Sequence, residues 1–166
     1  MASPIKLKTH KVLIKAPCEM VFQKMSSFGR GRLKGDNNES SRVLCRDDNH
    51  LIAEFKTKAG PFSYTTIEEI HLEPPERITF KHLKGPLHFA EEEFVFTDVD
   101  GDTELEHRGE FIWHWFPVIG WLAGRLYTKP MFERTVRKHM EQILVSCEER
   151  ASRSHVFARR KSADPR

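Results

Sequence analysis

Pro130–Glu149 reads PMFERTVRKHMEQILVSCEE. Counted from Phe132, the apolar residues Val136, Met140, Ile143, Leu144 and Cys147 fall at +4, +8, +11, +12 and +15. That spacing lays one apolar stripe along an α-helix. Glu133, Arg134, Arg137, Lys138, Glu141 and Glu148 take mostly the other side, so the helix has one wet face and is too charged to span a membrane. The stripe needs a partner, and nearly everything upstream reads as strand. A curved sheet wrapped around this helix, without filling the space beneath it, leaves a pocket.

The 166 residues suit one domain with a core of useful size, expected over 1–153, followed by a basic, poorly ordered tail over 154–166. Twelve Phe and three Trp supply bulky core material. The net charge of +3 comes largely from the two ends, so a uniform nucleic-acid-binding face is not indicated. Cys18, Cys45 and Cys147 are widely spaced, without a C-x-x-C pair, which argues against a disulfide scaffold or a zinc site. No signal-peptide-like apolar run opens the sequence, and the expected location is cytoplasmic.

Working back from the helix, Lys8–Ile14 alternates as a first strand. Ala16-Pro17 changes the period, and Met20, Val21 and Met25 give an apolar side to a short helix reaching about Ser27. GRGRLKGDNNES follows as a loop. Strands are then expected over Val43–Arg46, Leu51–Ala59, Phe62–His71, Arg77–Leu83, His88–Thr97 and Thr103–Phe116, divided by turn residues. Asp100-Gly101 is the strongest hairpin signal among them. After Pro117, VIGWLAGRLYTKP is either a short helix or the first turns of the long one, restarting or bending at Pro130.

Strand, helix, loop, six-strand meander and long final helix resemble the helix-grip superfamily of START-like proteins, the SRPBCC or polyketide cyclase/dehydrase and lipid-transport group. The resemblance covers roughly Lys8 to Arg150. It is carried by VLIKAPCEMVF, PPERITFKHLKGPL, EEEFVFTDVDGDTELEHRGEF and GWLAGRLYTKPMFERTVRKHMEQI. It implies an α+β fold in which a curved antiparallel sheet of about seven strands grips the C-terminal helix. Members bind lipids, polyketides, quinones or other hydrophobic molecules, and only some are enzymes.

Centring the last hairpin on Asp100-Gly101 pairs Phe96 with Leu105, Phe94 with His107, Glu92 with Gly109, Ala90 with Phe111 and His88 with Trp113. Glu104, Glu106, Arg108 and Glu110 then face water, and the aromatic side is concave. Extending the register through Gly85-Pro86 puts Phe80 beside Ala90 and His82 beside His88. Phe55, Tyr64, Thr66 and Glu68 join the same surface. His82, His88, Glu92 and His107 interrupt this face, either as structural hydrogen bonders or as anchors for a ligand headgroup. Their spacing matches no compact metal motif, so neither a metal nor another cofactor is expected.

The FIWHWFPVIGWLAG stretch, 111–124, reads first as core and second as the start of an apolar lip of Trp121, Leu122 and Leu126, with Arg125 and Lys129 as charges suited to transient membrane contact. The ligand-binding set is therefore Phe55, Tyr64, Phe80, His82, His88, Glu92, Phe94, Phe96, His107, Phe111, Trp113, Trp121 and Leu126. The expected function is binding or transfer of a hydrophobic small molecule. The alternative is a cyclase/dehydratase-like enzyme with His82, Glu92 and His107 as acid–base candidates, and a protein-interaction domain ranks third.

Overall fold

The computed structural model describes residues 4–28, 39–59, 62–113 and 121–162, with backbone alone at 39, 58–59, 62, 88, 113 and 155–162. The elements are β1 (Ile5–Lys6), β2 (His10–Ile14), α1 (Cys18–Met25), β3 (Glu39–Asp47), β4 (His50–Ala59), β5 (Phe62–Glu73), β6 (Arg77–Lys84), β7 (Leu87–Val99) and β8 (Asp102–Trp113). A helical run closes the chain: α2 (Trp121–Ala123), a π-helical segment (Gly124–Thr128) and α3 (Lys129–Ser162). The sheet is antiparallel in the order β1-β8-β7-β6-β5-β4-β3, with β2 also on β8. It has eight strands rather than about seven, because a two-residue strand, Ile5–Lys6, precedes the expected first strand, which itself begins at His10. Most of the expected loop GRGRLKGDNNES, and residues 114–116 of the last expected strand, lie outside the described residues.

The β7–β8 register follows the hairpin arithmetic from Ala90–Phe111 to Val99–Asp102. Asp100 and Gly101 have φ of 57° and 87°, the two left-handed residues of a type I′ turn, which matches the twist of the flanking strands. Farther from the turn two expectations fail. Leu87, not His88, pairs with Trp113, because His88 is the extra residue of a bulge. Phe80 pairs with Glu92 rather than Ala90, a slip of two residues, and the β6–β7 ladder ends at Lys81–Glu91. The outer end of β6 stays with β5 instead, where Glu68 pairs with His82 and Leu83 is bulged. A two-residue slip keeps side chains on their original face.

The stripe of α3 packs as its spacing predicts. Val136, Met140, Ile143, Cys147 and Ala151 are buried with Ile14, Val21 and Phe22, against Leu51, Ile70, Ile78, Phe96 and Leu105 from the sheet. Each large side chain so buried contributes about 1.5–3 kcal/mol. Two carboxylates fix the helix along the β2 edge: the Lys8 amide donates to Glu133 Oε1 at 2.7 Å and the Lys15 amide donates to Glu148 Oε1 at 3.0 Å.

Pro130 neither restarts nor interrupts the helix. The Lys129 amide bonds the Gly124 carbonyl, five residues back, so a π turn precedes the proline. Beyond Arg150 the backbone remains helical to Ser162, where a disordered tail was expected. Ala151 is the last buried residue among the described side chains, and the Arg-, Ala- and Lys-rich sequence beyond it has good intrinsic helix propensity. No helix among the described residues is long and apolar enough to cross a membrane.

Candidate functional site

The concave face divides into two parts. Toward α1 it is dry: Leu51, Ala53, Ile70, Ile78, Phe96 and Leu105 are buried, and Phe96 meets Phe22 edge-on at 5.4 Å between ring centroids. Along the other part Phe55, Tyr64, Thr66, Glu68, Phe80, His82, Glu92 and Phe94 are only half-buried. Phe28, at the end of the α1 segment, sits edge-on to both Phe55 and Phe80 at 6.2 and 5.8 Å, and Phe80 is likewise edge-on to Phe94 at 5.9 Å. An aromatic wall therefore leads from the core to the polar groups.

The end where β6 leaves β7 holds those groups. Gly85 has φ of 153°, and a Cβ there would stand 2.6 Å from His82 Cε1 and 2.9 Å from Thr66 Cγ2. Glycine is thus required both by the backbone and by the imidazole resting on it. The His82 ring hydrogen-bonds to the Leu87 backbone, yet burial holds its pKa below the ordinary imidazole value, against the opposing pull of that bond and of the Glu92 charge. His82 Nε2 is buried and has no hydrogen-bond partner among the described residues. A neutral imidazole that donates through one nitrogen presents the other as an acceptor. Beside it, Thr66 Oγ1 donates to Glu68 Oε1 at 2.9 Å.

Glu92 reaches across to β8 instead. Its Oε2 lies 2.8 Å from Nε2 of the wholly buried His107. The opposing residue, Gly109, makes room, since a Cβ there would sit 3.0 Å from Glu92 Cγ. The His107 ring stands 4.8 Å from that of Phe94 and pairs across β2 with His10, whose Nε2 is also buried and unpartnered among the described residues. Burial lowers the His10 pKa, outweighing the nearby Glu133 charge. His10 was absent from the sequence reading, although it shares its parity with Val12 and Ile14.

The remaining expected residues scatter. Phe111 is buried with Ile5, Leu7 and Ala90 and stacks on Phe132 at 6.1 Å. The side chains of His88 and Trp113 lie outside the described residues. Trp121 is 40% exposed, so the core reading is corrected there, and Leu126 is 68% exposed: this part of the helical run precedes the stripe that the sheet covers. Leu122 and Tyr127 are exposed beside them, and the Arg125 guanidinium lies 5.4 Å from the Trp121 ring centroid. Of the outward-facing acids, Glu106 is buried, covered by Lys11 and Arg108. Among the described residues the single convergence of three possible metal ligands is on the outer face, at His50, Glu69 and His71.

No protein-family model matches the chain, and no curated protein matches it in sequence. Solved structures do match in shape. The Zhui aromatase/cyclase of Streptomyces sp. R1128 is 18% identical over 90% of this chain and 96% of its own, with a TM-score of 0.73. A START superfamily protein from Mycobacterium smegmatis is 16% identical over 90% of this chain and 99% of its own, with a TM-score of 0.62. The di-domain aromatase/cyclase StfQ of the steffimycin pathway is 15% identical over 90% of this chain and 52% of its own, with a TM-score of 0.75. Together with the eight-stranded antiparallel sheet and its long terminal helix, these likenesses identify the architecture as the α+β helix-grip fold of the START-like, SRPBCC group.

Proposed function

We propose that this protein binds a hydrophobic small molecule, of the lipid, polyketide or quinone class, between the half-buried part of the concave face and the long helix. The observation that carries this reading is His82 Nε2, buried and without a hydrogen-bond partner among the described residues, at the end of the Phe55, Phe80 and Phe94 wall. A buried acceptor without a donor costs free energy, and a ligand hydroxyl or amide would satisfy it. The aromatic wall supplies the larger favourable contribution: a ligand burying roughly 300 Å² of apolar area gains about 7 kcal/mol. Association costs of about 4 kcal/mol or more leave a modest affinity suited to exchange. The exposed Trp121, Leu122, Leu126 and Tyr127 support transient contact with a membrane surface during that exchange.

Native mass spectrometry of freshly purified protein tests the reading. A co-purifying hydrophobic molecule, lost on Phe80→Ala and weakened on His82→Ala, is expected. Protein that carries none and takes up no fluorescent fatty acid, polyketide or quinone probe would refute it.

A second reading, turnover of the cyclase/dehydratase type, is favoured by the Glu92–His107 pair and by the likeness to two aromatase/cyclases. Neutral His82 would accept a substrate proton, and Glu92 would stabilise the resulting imidazolium by its charge. Binding that survives Glu92→Gln while turnover of an aromatase substrate disappears is the outcome expected of chemistry. Loss of binding alone assigns Glu92 to anchoring.

A further inference from the structure

We propose that His50, Glu69 and His71 form a binding site for a divalent transition-metal ion of the zinc class, on the outer face of the sheet. The site is separate from the concave face. His50 is the cross-strand partner of His71, and both alternate with the buried Leu51–Ile70 pair, so their side chains project on the opposite side. Glu69 lies two residues before His71 on β5 and shares that face. Register alone brings the three together.

Their geometry suits one ion. Glu69 Oε1 is 2.8 Å from His50 Nε2 and 3.9 Å from His71 Nε2. The two imidazole centroids are 4.6 Å apart, and the three possible ligand atoms lie within 4.8 Å of one another. Zinc–ligand bonds of about 2.0–2.1 Å in a tetrahedron place neighbouring ligand atoms about 3.3–3.4 Å apart. The two distances to the carboxylate straddle that value, so small side-chain adjustments seat the metal. A surface ion pair would need only one histidine; here both approach the same carboxylate oxygen.

Two neutral imidazoles and one carboxylate favour Zn²⁺, Co²⁺ or Ni²⁺ over the harder Mg²⁺ and Ca²⁺. Three protein ligands leave an outward position for water or an external donor. The ion would tie β4 to β5 beside the β3–β4 turn, and by binding only the folded chain it would raise stability.

The test uses the full chain, free of any histidine tag and stripped with chelator. Titration with Co²⁺ is expected to give the visible d–d bands of a pseudo-tetrahedral ion, saturating at one equivalent and displaced by Zn²⁺. Zn²⁺ is expected to raise the thermal midpoint. His71→Ala and Glu69→Gln, both away from the core and checked for folding by circular dichroism, should each abolish the bands and the shift, while His82→Ala keeps both. Absence of bands in the parent protein, bands that persist in both outer-face variants, or bands lost with His82→Ala would each overturn the proposal.

Discussion

His107 Nε2 and Glu92 Oε2 lie 2.8 Å apart, with the imidazole wholly buried and the Glu92 side chain 19% exposed. The bond joins the centres of β7 and β8, and Gly109 clears the space it needs. His107 Nδ1 has no partner among the described residues, so Glu92 supplies the ring's one hydrogen bond there. Glu92→Ala therefore strands a buried imidazole and should cost about 1–3 kcal/mol in urea unfolding. Glu92→Gln retains a polar partner and should cost less. Equal losses for the two variants would mean that packing, not the hydrogen bond, holds Glu92 in place.

Stability should decline on mild acidification. Burial lowers the folded pKa of His82 and of His10, so between the folded and unfolded values the unfolded chain binds more protons. Their contribution is complete above the unfolded value of about 6.5 and is lost as pH falls through it toward the folded value. The urea midpoint should drop below about pH 6.5, and His82→Asn should make that drop shallower. A midpoint that rises on acidification over this range contradicts the assignment.

Gly85→Ala should be destabilising by about 1–3 kcal/mol, since the left-handed backbone disfavours a side chain and the new methyl would collide with the His82 ring. The same variant should shift the His82 imidazole resonances and weaken ligand uptake. Gly101→Ala shares the positive φ but meets nothing within 4 Å. It should cost stability without moving His82.

The helix offers a contrast between its two ends. Met140→Ala empties a core position and should lower stability by about 2–5 kcal/mol. Leu126→Ser, at a 68% exposed position, should change stability by less than about 0.5 kcal/mol. If the exposed patch touches membranes, Leu126→Ser together with Trp121→Ala should reduce co-sedimentation with anionic vesicles. Unchanged co-sedimentation would leave the patch without that role.

Much of this architecture was legible because strong local signals fixed it. Asp100-Gly101 permits little but a two-residue turn, and the partners of Phe94 and Phe96 followed by addition. Gly85-Pro86 imposes no such tight closure, so Phe80 slipped two residues along β7 while keeping its face. The His88 bulge left no mark in the pattern of apolar residues. His10 was within reach of the same parity that placed Val12 and Ile14. The outer triad was too: His50 and His71 are symmetric about Gly60-Pro61 and pair on the side of the sheet opposite the concave histidines. The end of the terminal helix was hidden for a different reason, since helix propensity continues past the last residue of the apolar stripe that the spacing marks.

The two carboxylate bonds from Glu133 and Glu148 to the backbone on either side of β2 pin the long helix like a bar clamped at both ends of one margin. That side of the molecule is consequently its fixed jaw. Any widening to admit a bulkier guest falls to the opposite margin, where β3 is the outermost strand and the bulge at Leu44 already loosens its register with β4.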